Sequence, residues 1–297
     1  MPEYISNAVQ CVVKAEAIIG ESPLWSPHER VLYWVDIAGK KIHRFNPKTA
    51  QNKTFNLPQP VTAVGLRQKG GLVLTLAKNF AFFDPHTKAL EMLANPEDDK
   101  PANRFNDAKC DRQGRFWAGT MAAVNMDAPV GSLYRLDTDL GVTRLVTEVR
   151  LANGLAWSPD SRIFYFTESR QYSIYAYDFD VQTGTISNRR LFATLDREAG
   201  GIPDGLTVDA QGFIWSVLYG AGRVVRYSPA GAIERVVELP VPCPTSCIFG
   251  GDNLDVLYIT TAREFLTPEQ IAQAPLSGSL FAHKPGVQGL PEPSFAG

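Results

Sequence analysis

The stretch ESPLWSPHERVLYW (Glu21–Trp34) sets a pattern that the rest of the chain repeats. A polar residue opens it, and a short apolar run follows. A turn containing Pro then leads into a strand of aromatic and β-branched residues. Further copies begin at Thr62 (TAVGLRQKGGLVL), Asn106 (NDAKCDRQGRFW), Asn153 (NGLAWSPDSRIFYF), Asp204 (DGLTVDAQGFIW) and Ser246 (SCIFGGDNLDVLYI), at spacings of 41 to 51 residues. Strand landmarks Trp34, Leu74, Trp117, Phe166, Trp215 and Ile259 follow the starts by 11 to 13 residues. The turns use Ser-Pro, Gln-Gly, Lys-Gly-Gly and Asp-Ser, which suit turn backbones. A second hairpin such as KKIHRFNP or GSLYRLD completes each copy. A repeat of this length with about four strands is one propeller blade. The 10–15-residue helical segments that an α/β fold places between strands are missing.

The pattern therefore predicts an all-β fold, a six-bladed β-propeller with four-stranded antiparallel blades around a central channel. It should form a single domain over 1–297. The segment Gln10–Ala17 should pair with the last blade near Ser279–His283, closing the ring and hiding both edges. One short helix is expected around Thr267–Ala272, with Thr267 as N-cap and Pro268 at the first helical position.

Composition agrees and excludes other classes. The 297 residues carry 24 Gly, 21 Pro and 31 aromatics, an excess that suits many short strands and turns. A net charge of −2 without a basic block argues against nucleic acid as a partner. No apolar run approaches the roughly 18 residues of a membrane helix. The N-terminus lacks the basic and apolar regions of a secretory signal, so a cytoplasmic location is expected. Four cysteines in so long a chain do not make a disulfide framework, and Cys243 and Cys247 have no second pair to complete a zinc site. Nucleophile-elbow and phosphate-cradling motifs are missing as well.

The repeat also points to a site. The first strand of a blade lines the channel, so the six starts form a ring of Glu21, Thr62, Asn106, Asn153, Asp204 and Ser246. Glu21 and Asp204 would repel one another there unless a cation neutralised them or one took up a proton. Oxygen donors of this kind suit a hard or borderline divalent ion. None of the four histidines (His28, His43, His86, His283) falls on the ring. Strand alternation predicts that Asp107 points away from the channel if Asn106 points in.

The segments GESPLW (20–25), NRFNDAK (103–109), GRFWAGTM (114–121), NGLAWS (153–158), IPDGLTVD (202–209) and TSCIFGG (245–251) resemble the senescence marker protein-30/gluconolactonase family, also called the regucalcin family. The likeness spans nearly the whole chain and implies the same six-bladed fold. It implies a metal held by Glu21, Asn153 and Asp204, substrate contacts from Arg104 and Asn106, and Asp204 as general base. Animal members have acids shortly after G-T-M, where this chain reads Met121-Ala-Ala-Val-Asn with no acid before Asp127. Their sugar preference is therefore not carried over.

The expected activity is metal-dependent hydrolysis of a sugar-acid lactone, for example glucono-, xylono-, galactono- or arabinonolactone. One divalent ion (Ca2+, Zn2+, Mn2+, Mg2+ or Fe2+) would serve as cofactor, and the lactone would be the partner. An oligomer is not required by a closed ring. Two alternatives stand beside it: a calcium-binding regulatory protein without turnover, and an organophosphate-type hydrolase on the same scaffold.

Overall fold

In a computed structural model, which describes residues 2–6 and 8–297, six sheets close into a ring as a six-bladed β-propeller. The innermost strands are Gly20–Ser26, Val61–Leu66, Asn103–Cys110, Ala152–Trp157, Ile202–Val208 and Pro244–Gly250, one for each blade from first to sixth. Three antiparallel strands follow each of the first five outward. In the sixth blade, Gln10–Val13 supplies the outer strand and pairs antiparallel with Leu280–His283. The fifth blade departs from the four-stranded expectation, because Glu3–Ile5 adds a parallel fifth strand along Ile233–Glu238. The short helix forms over Pro268–Gln273, with Thr267 as N-cap and a reciprocal capping box to Gln270.

The hydrophobic core is divided between the blades rather than gathered at one centre. In the strand Val31–Asp36, Val31, Tyr33 and Val35 pack towards the second blade, whereas Leu32 and Trp34 pack towards the sixth. Both faces of a blade are therefore covered, and its strands read as continuous apolar runs. Trp34, Trp117 and Trp215 are fully buried in these layers. The indole N–H of Trp117 donates to Asp111 (2.9 Å), and that of Trp215 to Asp209 (3.0 Å). Each acid lies six residues before its tryptophan, so the polar atom of the ring is satisfied inside the core.

All six inner strands run the same way, so their starts share one face of the ring. The long connections 93–102, 123–130 and 262–279 emerge on that face too. The opposite end is covered by the C-terminal tail. Phe295 is fully buried; its N–H donates to Leu66 O (2.7 Å), and its carbonyl accepts from Gln68 N (2.8 Å). Glu292 in the same tail pairs with Lys109 of the third blade at 3.2 Å.

Each inner strand also carries one residue more than its partner. The register slips between Glu21 and Leu24, Val61 and Ala63, Phe105 and Ala108, Asn153 and Leu155, Pro203 and Leu206, and Pro244 and Ser246. Such bulges re-aim side chains, and here they sit at or beside the ring positions.

Candidate active site

Four of the six ring positions carry donors that gather at the channel: Glu21, Asn106, Asn153 and Asp204. Glu21, Asn153 and Asp204 are 7%, 4% and 9% exposed. Glu21 accepts the N–H of Ser22 at 2.7 Å. Asn106 donates its Nδ2 to Asn153 Oδ1 (2.7 Å) and to Ala152 O (2.8 Å). Arg104, two residues before it, donates Nη1 to Asn106 Oδ1 at 2.9 Å and to Phe105 O at 2.8 Å. The other two positions differ. Thr62 turns into its own blade to share a hydrogen bond with Thr75 (2.8 Å), and Ser246 lines the channel lower down beside Asp107 and Lys109.

Asp107 corrects an expectation. The bulge sets both Asn106 and Asp107 opposite a single residue of the neighbouring strand, so simple alternation does not apply. Its side chain faces the channel with Ser22, Lys109 and Ser246 and accepts N–H groups from Ala108 (2.8 Å) and Gly154.

Glu21, Asp204 and Asp107 thus share the channel with the guanidinium of Arg104, and Lys109, itself paired with Glu292, stands beside Asp107. Burial pushes the proton affinity of Glu21 well up, and the charges of Asp204 and Asp107 add to it. Burial does the same to Asp204, reinforced by Asp107. Asp107 itself is pushed up to about 6 by burial, with Lys109 opposing. Burial lowers the proton affinity of Arg104, against the charges of Glu264, Glu21 and Asp204. Such a cluster is out of balance without a further positive charge.

The donor chemistry fits a hard cation. Among the described residues no three His, Cys, Asp or Glu side chains converge tightly enough to hold an ion by themselves. The amide oxygen of Asn153, which accepts from Asn106 Nδ2, offers a further, neutral oxygen donor. Two carboxylates and an amide oxygen make an all-oxygen set of modest charge.

Two further features lie at the rim. Glu264 lies in the long connection 262–279, close enough to Arg104 to influence its charge, and its carbonyl accepts from Tyr219 Oη at 3.0 Å. Asp127, the first acid after G-T-M, forms an ion pair with Arg170 (3.3 Å) that ties the 123–130 loop to the fourth blade.

Residues 19–263 match the SMP-30/Gluconolactonase/LRE-like region. The chain belongs to the SMP-30/gluconolactonase family. Regucalcin of Oryctolagus cuniculus is 41% identical over 98% of this chain and 99% of that protein. A 6-deoxy-6-sulfogluconolactonase of Pseudomonas putida is 38% identical over 99% of this chain and all of its own length. Among solved structures, the calcium-binding regucalcin of Agrobacterium tumefaciens superposes with a TM-score of 0.94 at 26% identity, covering 99% of both chains. Relatives in this SMP-30/gluconolactonase group thus carry both lactonase and calcium-binding names.

Proposed function

We propose that the chain hydrolyses a sugar-acid lactone to the open aldonic acid at the channel mouth, with one divalent cation held by Glu21, Asn153 and Asp204. The observation that carries this reading is the meeting of two buried carboxylates, each with raised proton affinity, with an amide oxygen and the Arg104–Asn106 pair. When bound, a cation there supplies positive charge to a lactone carbonyl oxygen as negative charge develops on it. Asp204 accepts a proton from the water that attacks the carbonyl carbon. The same proton then passes to the departing ring oxygen, which completes the cleavage. Among the described residues Arg104 hydrogen-bonds through Nη1, so its remaining N–H groups can orient the carbonyl and hydroxyl groups of the sugar.

Arg104 and Asn106 favour turnover over simple ion storage, since holding a cation needs no guanidinium beside it. The four cysteines are free, which supports a reducing, cytoplasmic setting. No helix among the described residues is long and apolar enough to cross a membrane. The test is acid release from glucono-, xylono-, galactono- and arabinonolactone, before and after chelation. Hydrolysis that stops with chelator and returns with added cation supports the reading. No turnover of any of them with cation restored overturns it.

A further inference from the structure

Four hydrogen bonds run in one direction across three blades. Arg104 Nη1 donates to Asn106 Oδ1 (2.9 Å), and Asn106 Nδ2 donates to Asn153 Oδ1 (2.7 Å). Asn153 Nδ2 donates to Ser169 Oγ (2.9 Å), and Ser169 Oγ donates to Pro203 O (2.6 Å). Backbone carbonyls fix the sense of the chain, because they can only accept. Pro203 O takes the single proton of the Ser169 hydroxyl, so that oxygen can only accept from Asn153. Ala152 O likewise requires the NH2 of Asn106 at its end of the chain. The side chain of Asn153 is thereby held with its nitrogen towards Ser169 and its oxygen towards the neighbouring ring position, Asn106.

Ser169 is fully buried, in a one-turn 3-10 segment (Ser169–Gln171) after the second strand of the fourth blade. It bridges Asn153 to the residue directly before Asp204. An amide rotated by half a turn would present N–H groups, which a cation rejects, where the oxygen now stands. We infer that Ser169 is a positioning residue that locks the carboxamide of Asn153 oxygen-inward and so sets the affinity of the channel for its cation. The inference rests on the cation reading of Glu21, Asn153 and Asp204.

The experiment is calorimetric titration of Ca2+ and of Mn2+ into chelator-stripped protein. Ser169→Ala should weaken binding about ten- to a hundredfold, the range typical of lost outer partners of metal ligands. A carboxylate has two equivalent oxygens and needs no such lock. In an Asn153→Asp background, Ser169→Ala should therefore change affinity less than threefold. If Ser169→Ala does not fold, Ser169→Cys keeps a weak donor and acceptor in place and should show the same ordering with a smaller loss. Binding by Ser169→Ala within threefold of the unmodified chain would overturn the inference, as would an equal loss in both backgrounds, which marks a packing effect. If the unmodified chain binds neither of these ions, nor Zn2+, Mg2+ or Fe2+ titrated in the same way, the cation reading falls and this inference with it.

Discussion

Asn106 and Asp107 are neighbours in the chain, yet both face the channel, because one extra residue in the inner strand of the third blade breaks the alternation between them. Asn106 joins the hydrogen-bonded chain that holds Asn153. Asp107 adds a third carboxylate, whose charge raises the proton affinities of both Glu21 and Asp204.

Asp107 should therefore destabilise the cation-free protein at neutral pH. Burial raises its pKa from 3.8 to about 6. A raised carboxyl binds more protons in the folded state, so its stabilising contribution is complete below pH 4 and lost as pH rises to about 6. Asp107→Asn removes the charge but keeps an acceptor for the N–H groups of Ala108 and Gly154. Urea denaturation of chelator-treated protein should show the variant more stable at pH 7.5 and the advantage gone near pH 4. Equal or lower stability of the variant at pH 7.5 would refute this account.

The two proposed carboxylate ligands should separate stability from cation response. Asp204→Asn relieves repulsion against Glu21, so the melting temperature with chelator present should hold or rise. Saturating cation stabilises a protein only through binding to the folded state. Its upward shift of the melting temperature should disappear in Asp204→Asn, together with at least about 1000-fold of lactone turnover, a typical loss when electrostatic and proton-transfer roles vanish together. A retained cation shift would move the ligand role away from Asp204.

Arg104 should act mainly through position. Its Nη1 serves Phe105 O and Asn106 Oδ1, so Nη2 can meet the substrate in the same plane, whereas a lysine has one nitrogen for both tasks. Arg104→Lys should lower kcat/KM by about ten- to a hundredfold while leaving cation affinity within threefold. Steady-state kinetics beside calorimetry separates the two. Unchanged kcat/KM would remove Arg104 from the substrate side of the channel.

The legibility of the sequence followed the physics of each part. Blades were readable because strands buried on both faces must be apolar throughout, and because turns between them need Gly, Pro, Asp and Asn. The ring positions Glu21, Asn106, Asn153 and Asp204 were readable as channel-lining because they occupy equivalent places in a repeat; the repeat did not say which of them act together. Asp107 was not readable, since a bulge is one extra residue with no residue type of its own. Ser169 and Glu264 lie in connections outside the repeat, where ordinary polar residues gain meaning only from what they touch. Phe295 belongs to a tail with no period, and only its packing under the ring reveals its role.

That tail gives a stability prediction. Phe295 is fully buried, and its ring lies 6.0 Å from that of Phe82, between the second and third blades. Phe295→Ala should cost about 3–5 kcal/mol, the usual range for emptying so large a buried site. Urea titration should show a lower midpoint with little change in the slope. A loss below about 1 kcal/mol would mean that the tail is dispensable for the fold.

Gly154 joins the fold to the site most directly. It follows Asn153 at the bulge of the fourth blade, and its backbone φ of +38° lies in the left-handed region. A Cβ there would overlap the hydroxyl of Thr167 and stand 2.8 Å from the backbone oxygen of Asp204. Its N–H also serves the carboxylate of Asp107. Gly154→Ala thus strains the backbone and pushes apart the strands that carry Asn153 and Asp204. Because backbone strain of this kind costs about 1–3 kcal/mol, the variant should fold with reduced stability. Its cation affinity should fall by more than tenfold, since displacement of either donor opens the site. Wild-type cation affinity in a destabilised Gly154→Ala protein would show that the two strands can move without disturbing the donors.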